Sequence, residues 1–522
     1  MSIYISNNQF HLQTKNTSYI FQVYDNTYLA HLYWGEKLDK SIDLTHFHNE
    51  FIYSRANAVH VPIKPDNSMF LSDLQCEFSV FGGGDYRTPT VHVRHQNSST
   101  VTEFVYDGYK LIPGKPKLEG LPASYSENDA ESVEIYLKDK LTGFKAVLLY
   151  SVFENYNCIT RSIRYVNDGE TTMHLLSAQS ATVDLYGTDY SYLNLYGDWL
   201  RERNMEWIKP GHAKSVIETR RGMSSHMSNP FLALKRGAAD ENIGEFFGFS
   251  LVYSGNFNMT VEGNSCGGTR INAGINDFNF DWTLKPFESF QTPEVIMAYS
   301  NCGLNGLSNI YHKMIRERLC KGRYRDKPRP MVINNWEGTG PDFTEEKLID
   351  IAKNGAEMGL EYFVLDDGWF GNRNKGGSLG DWYVNKDLLC NGLQGVASRV
   401  NRLGMKFGVW MEPEMISPDS DLYRAHPDWC IHSEGRKRTL NREQLVLDLA
   451  RSDVKEYVIN AITDVLNSAN ISYMKWDCNR NIGETANQMQ SHKYVLALYE
   501  ILETITTKFP DVLFESCSGG GG

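Results

Sequence analysis

The sequence predicts a multidomain protein: an antiparallel β-sandwich followed by the first part of a (β/α)8 barrel. Three observations carry this. Up to about Asn301 the chain consists of short runs rich in Tyr, Phe, Val, Ile and Thr, separated by Gly, Asn and Asp clusters. After Pro330 short apolar strands alternate with amphipathic helices. The acidic and aromatic residues of that second part gather at the C-terminal ends of its strands, where barrels of this kind place their active sites.

Taken in order, runs such as SYIFQVYDNTYLAHLYW, AVLLYSVFE and MHLLSAQSATVDLYG read as strands of a β domain over residues 1–302. Leu307, Ile310, Tyr311 and Ile315 recur at helical spacing, and KGRYRDKPRP follows, so residues 303–330 read as a helical linker. VINNW at 332–336 is a strand; Thr344 caps the next helix, with Glu345 and Glu346 in its first turn and Gly359 beyond its end. YFVLDD (362–367), KFGVWME ending near Glu412, ISYMKWD (471–477) and VLFES (512–516) are four more strands. Between them lie helices marked by Val396, Val400 and Leu403, by Val454, Val458, Ile462 and Val465, and by Tyr494, Leu498, Ile501 and Ile505. Residues 331–522 thus supply about five of the eight strands a barrel needs, and the chain reads as a fragment truncated inside its barrel.

Composition narrows the function. With 522 residues, 41% hydrophobic and 22% charged, the chain is ordinary globular protein. A net charge of −12 repels phosphate backbones, so nucleic acid is not an expected partner. Neither a basic start with an apolar stretch nor a run of about 18 apolar residues occurs, so a cytoplasmic location with no membrane contact is expected. Nine scattered cysteines without a CxxC pair argue against a disulfide framework and a structural zinc site. His46-Phe47-His48 spells a metal-binding HxH, but in the β-rich half and without partner ligands at strand ends, so it reads as surface or packing.

The strand-end residues are Trp336; Asp366 and Asp367; Glu412 and Glu414; Asp477; and Glu515 with Cys517. Any one of them reads equally well as a strand-end cap or core ring, but five strand ends in agreement indicate a site. Carboxylates crowded at one mouth near Trp336, Trp369 and Trp410 suit glycoside chemistry, in which one carboxylate attacks the anomeric carbon and another protonates the leaving oxygen. Lys475, Asp477 and Asn479 alternate along KWDCN and share a face, so Lys475 is expected beside Asp477, keeping it ionised as a nucleophile requires. The competing reading is a Lys–Asp pair that only fixes the interior. Cys478 points away from this face and reads as a packed thiol.

The stretch from Trp336 through LDDGWFGNRN, LGDWYVN, GVWMEPEM, HPDW, NREQLVLDL and YMKWDCNR to ESCSGGGG resembles the α-galactosidases of glycoside hydrolase family 36, and GGGDYRTP at 82–89 resembles that family's N-terminal motif. The resemblance implies a retaining hydrolase that releases terminal α-linked galactose from oligosaccharides such as melibiose and raffinose, with no metal or other cofactor. It implies Asp477 as nucleophile. Asp366 and Asp367 would hold galactose hydroxyls, with Trp336, Trp410, Arg442, Lys475, Asn479, Cys517, Gly519 and Gly520 completing the pocket. It also implies a homo-oligomer, commonly a tetramer. The family's general acid/base is an Asp in a W-x-S-D-x-x-D type segment, and no such segment occurs in these 522 residues. Glu412, Glu414 and Glu515 are the other carboxylates that could be proposed, and the resemblance gives none of them that role. The chain alone is therefore expected to be weak or inactive on unactivated disaccharides.

The rival readings are an α-N-acetylgalactosaminidase or α-galactosyl transferase of the same family, separated from the first by the pocket near the sugar 2-position, and a non-catalytic sugar-binding relative. A metal-dependent barrel lyase is disfavoured, because no Lys or His base accompanies the carboxylates at the expected places.

Overall fold

The computed structural model describes residues 2–47, 61, 63, 69–264, 267–373 and 376–520. The chain forms two compact units: Met1–Arg220 with His226–Cys320, and Arg221–Ser225 with Lys321–Gly522.

The strands of the first unit build sheets of four, six and ten strands, with antiparallel ladders. Local chemistry sets their turns. Asn7 and Asn8 both adopt positive φ (49° and 61°) between the paired residues Ser6 and Gln9, a two-residue turn whose twist matches the strands it joins. Alternation sets their faces: in Glu131–Asp139, Val133, Ile135 and Leu137 are buried while Glu134, Tyr136 and Lys138 are half-buried. The 14-residue strand Met173–Tyr186 ties the six-stranded sheet together, pairing with Gly268–Ile275, Val91–Arg94 and Trp282–Leu284.

GGGDYRTP closes over a buried ionic cluster. Gly82, Gly83 and Gly84 run at φ +133°, +63° and +90°, and the chain then buries Asp85 and Arg87. Arg87 donates to Asp85 (2.8 Å) and Asp184 (2.9 Å), and Arg270 lies 2.7 Å from Asp184 and 3.1 Å from Asp85. Burial alone would raise the Asp85 carboxyl, but Arg270 and Arg87 outweigh it and hold it at about 2. A second buried cluster centres on Glu77, which accepts from Tyr19, Tyr150, His31 and Arg161.

The helix expected before residue 320 spans Gly303–Arg318 and belongs to the first unit. Leu307, Tyr311 and Met314 pack into a core with Phe246, Ile296 and Ala298, and the Tyr311 hydroxyl donates to the Ile296 carbonyl at 3.0 Å.

In the second unit five strands, Val332–Asn334, Tyr362–Leu365, Lys406–Met411, Ile471–Trp476 and Leu513–Ser516, lie side by side in chain order as one parallel sheet. The first is shorter than VINNW suggests. The Asn334 side-chain oxygen accepts the Trp336 N–H at 2.7 Å and turns the chain into the short helix Trp336–Thr339. Thr344 caps the helix Glu345–Glu357 as its sequence indicates, its hydroxyl accepting the Lys347 N–H at 3.3 Å, and Gly359 follows at φ +86°. The helices Gly392–Arg402, Ser452–Asn467 and Gln490–Lys508 separate the later strands, burying Val396 and Val400; Val454, Val458, Ile462 and Val465; and Tyr494, Ile501 and Ile505. After the third strand the chain adds a small antiparallel pair, Met415–Ile416 with Leu445–Val446, that the sequence pattern did not suggest. Strands of two residues are too short to display a period. Among the described residues, no helix is long and apolar enough to cross a membrane.

Candidate active site

Parallel strands in register bring their C-terminal ends to one edge of the sheet, and the strand-end carboxylates meet there. Asp477 follows the fourth strand directly and is 6% exposed. Its Oδ2 accepts from Trp410 Nε1 (3.0 Å) and Asn479 Nδ2 (2.7 Å), and its Oδ1 accepts from the Cys478 backbone N–H (3.0 Å). Three donors, two side chains and one backbone N–H, therefore fix the orientation of this buried carboxylate.

Asp366 and Asp367 follow the second strand, both buried. Asp366 Oδ2 accepts from Lys475 Nζ (2.8 Å) and Asn334 Nδ2 (2.6 Å), and its backbone N–H donates to Asn335 Oδ1 (2.8 Å). Lys475 thus pairs with Asp366; Asp477 is only a further, smaller attraction on its ammonium. The expected Lys475–Asp477 pair gives way to a Lys475 that reaches past the third strand to the end of the second, where a buried carboxylate needs a counter-charge. Asp367 receives Arg373 on both oxygens, through Nε at 2.9 and 3.1 Å and Nη2 at 2.9 Å. Burial raises the Asp367 carboxyl, Arg373 opposes the rise, and Asp366 and Asp477 add to it.

Asn479 links the fourth strand end to the fifth: its Oδ1 accepts the Gly519 N–H at 2.8 Å, and Ser518 Oγ donates to the Cys478 carbonyl at 2.6 Å. Gly519 and Gly520 run at φ +57° and +117°. Burial pushes the half-buried Cys517 thiol up to about 11, with Asp477 adding to the rise. Trp410 is 2% exposed and acts as an N–H donor to Asp477, while Trp336, at 36%, is the ring with an open face. Arg442 is exposed on the turn Asn441–Gln444, where it and Glu443 both hold positive φ.

The remaining strand-end acids separate by environment. Glu414 is buried, accepting from Trp476 Nε1 (2.9 Å) and Tyr494 OH (2.6 Å) on its two oxygens, and is a packing residue. Glu515 accepts the Tyr473 hydroxyl on the sheet itself. Glu412 is fully buried, with its oxygens accepting from the Asn479 backbone N–H and from Gln444 Nε2. Cys478 is a buried thiol 3.7 Å from Met223 sulfur. His46 is exposed, and His48 lies outside the described residues. Among the described residues no group of three or more His, Cys, Asp or Glu side chains is placed to hold a metal ion.

Sequence reasoning missed Arg373, Asn334 and Gln444. Arg373 was detectable in principle: two adjacent acids at one strand end require cations, and an arginine stands six residues on in LDDGWFGNRN. Asn334 and Gln444 leave no such signal, because neutral amides fit loops and strand ends anywhere.

A parallel sheet with buried, donor-held carboxylates at one edge is the equipment of a carbohydrate-active hydrolase. The model of the glycosyl hydrolase family 36 N-terminal domain matches residues 27–285, and the melibiase model matches residues 289–522. Alpha-galactosidase AgaA of Geobacillus stearothermophilus is 47% identical over 98% of this chain and 72% of its own length. The crystal structure of AgaB from the same organism superposes with a TM-score of 0.95 at 46% identity, over 100% of this chain and 73% of that one. A variant of AgaA in complex with raffinose superposes at 0.96 and 46% identity, over 98% and 73%. The chain belongs to glycoside hydrolase family 36.

Proposed function

We propose that the protein is a retaining α-galactosidase, releasing terminal non-reducing α-D-galactose from oligosaccharides such as melibiose and raffinose. The observation that carries this reading is the Asp477 carboxylate, buried at a strand end with donors on both oxygens and two further carboxylates nearby that are tied to their own cations. The family's α-galactosidases, and the raffinose bound to the AgaA variant, support the substrate class.

Trp410 and Asn479 hold Oδ2, so Oδ1 is assigned to attack. A lone pair of Asp477 forms the bond to the anomeric carbon as the bond to the leaving oxygen breaks, and that oxygen takes its electron pair and a proton from a second carboxyl. Water then attacks the same carbon, gives up a proton, and returns the bonding pair to Asp477. Asp366 and Asp367, each with acceptor capacity beyond its cation, bind galactose hydroxyls, with Trp336, Trp410, Arg442, Lys475, Asn479, Cys517 and the backbone at Gly519 and Gly520 around them. Lys475 and Arg373 orient the two acids.

The five-stranded sheet is read as the opening part of a (β/α)8 barrel over residues 331–522, joined through 303–330 to a β-sandwich of residues 1–302. Family resemblance supports a tetramer, which light scattering on the purified protein tests. The chemistry is tested with a galactose-configured inactivator whose fluoride leaving group departs without a proton. A single label on Asp477, absent with the glucose-configured analogue and absent from Asp477→Ala, is the expected result. A folded protein that takes no label, or that prefers the N-acetylgalactosamine analogue, overturns it.

A further inference from the structure

We propose that Glu412 is a positioning residue that fixes the nucleophilic carboxylate and the Arg442 turn in one hydrogen-bonded frame. The proposal rests on the reading of Asp477 as nucleophile.

Glu412 stands just past the third strand and is fully buried. One of its oxygens accepts the backbone N–H of Asn479, whose side chain donates to Asp477 Oδ2 and accepts the Gly519 N–H. The other accepts Gln444 Nε2 at 3.0 Å. Gln444 closes the turn that presents Arg442, its backbone N–H donating to the Asn441 carbonyl at 2.9 Å and its carbonyl accepting from Arg480 Nη1 at 2.7 Å. One carboxylate therefore stands one residue from the attacking group on one side and, through Gln444, on the turn that carries the exposed Arg442 on the other. Its hydrogen-bonded path to the reacting atoms runs through Asn479, and beyond that only its charge reaches them.

Burial, together with the negative charges of Asp477 and Asp367, pushes the Glu412 carboxyl up to about 7 against the pull of Asn479. Arg373 faces it as the attracted cation, and the Cys478 thiol is raised in part by it. The proton therefore leaves near neutrality. Ionisation strengthens both N–H···O bonds and places a second buried anion beside a transition state with oxocarbenium character, while Asp477 loses its own charge as its bond forms. All three effects favour attack from the ionised form. The acid form has a place for its proton. Gln444 Oε1 is buried without a hydrogen-bond partner, and turning that amide over presents it to an O–H on Glu412. The same turn satisfies a neutral amide at position 412, so Glu412→Gln keeps the frame and removes only the charge.

The experiment measures the limiting rate and the half-saturating concentration of Asp477 labelling by the fluoride-leaving galactose inactivator between pH 5 and 9, for the protein and for Glu412→Gln. The expected wild-type rate rises through an inflection near 7. Glu412→Gln stays at the low-pH rate throughout, roughly tenfold below wild type at pH 8, with half-saturation within about threefold. An inflection that persists in Glu412→Gln, or a loss carried only by half-saturation, overturns the proposal. Failure to label the wild type at Asp477 instead overturns the reading of the nucleophile. Gln444→Leu provides a second arm that leaves Glu412 in place. The substitution takes a charge-assisted donor from the ionised form and only a neutral acceptor from the acid form, and leaves an apolar side chain in their place, so the inflection moves to higher pH, and an inflection that does not move also overturns the proposal.

Discussion

At the scale of single residues, the site is a set of buried carboxylates each held by two or three donors, so removing a partner is more damaging than its own contacts suggest. Lys475→Met leaves Asp366 buried with Asn334 as its remaining side-chain donor, and is expected to lower stability by about 3 kcal/mol, read by urea denaturation, and to slow labelling of Asp477. Glu412 gives a pH signature of its own. Its carboxyl sits at 4.5 when unfolded and about 7 when folded, so its contribution is complete below 4.5 and is lost as pH rises through 7. The loss amounts to about 3 kcal/mol at roughly 1.4 kcal/mol per pH unit, and denaturation midpoints at pH 4.5 and 8 should differ less in Glu412→Gln than in wild type. Asp366, Asp367 and Asp477 could be read from the sequence because strand ends are placed by periodicity. Their partners could not: Lys475 was assigned to the wrong acid, since alternation gives the face of a side chain and not which strand end it reaches, here one two strands away.

At the scale of elements, the parallel strands and their helices follow from local rules, and the exceptions are where side chains cut a strand short or a turn departs from its preferred residues. Asn334 ends the first strand early by accepting the Trp336 N–H. The turn Asn441–Gln444 places Arg442 (φ 53°) and Glu443 (φ 57°) in the left-handed region, which Asn and Gly occupy at less cost. Glu443→Gly is therefore expected to stabilise the protein by about 1 kcal/mol, measured as a rise in thermal midpoint. The sequence offered no hint of this turn, because neither residue is a turn former and the strand that follows it, Leu445–Val446, is only two residues long.

At the scale of the whole molecule, the change of grammar after Pro330 was legible, since β-rich runs and βα units differ in period. The ionic clusters inside the first unit were not. Asp184 lies 97 residues from Arg87 and 86 from Arg270, separations at which nothing in the chain announces a pairing. Arg270→Met leaves Asp184 and Asp85 to share Arg87 and is expected to cost about 3–5 kcal/mol, shifting the unfolding transition that reports on the first unit's tyrosines.

The five residues Arg221–Ser225 pack with the second unit although the chain around them belongs to the first. The Arg221 carbonyl accepts the Ile482 N–H at 2.9 Å, and Met223 sulfur meets a thiol 255 residues further on. On a ribosome adding roughly 5 to 20 residues per second, that strap emerges about 10 to 50 s before its partner exists. The second unit therefore depends on a piece synthesised early and held in waiting, and a catalytic fragment started at residue 321 would be born without it.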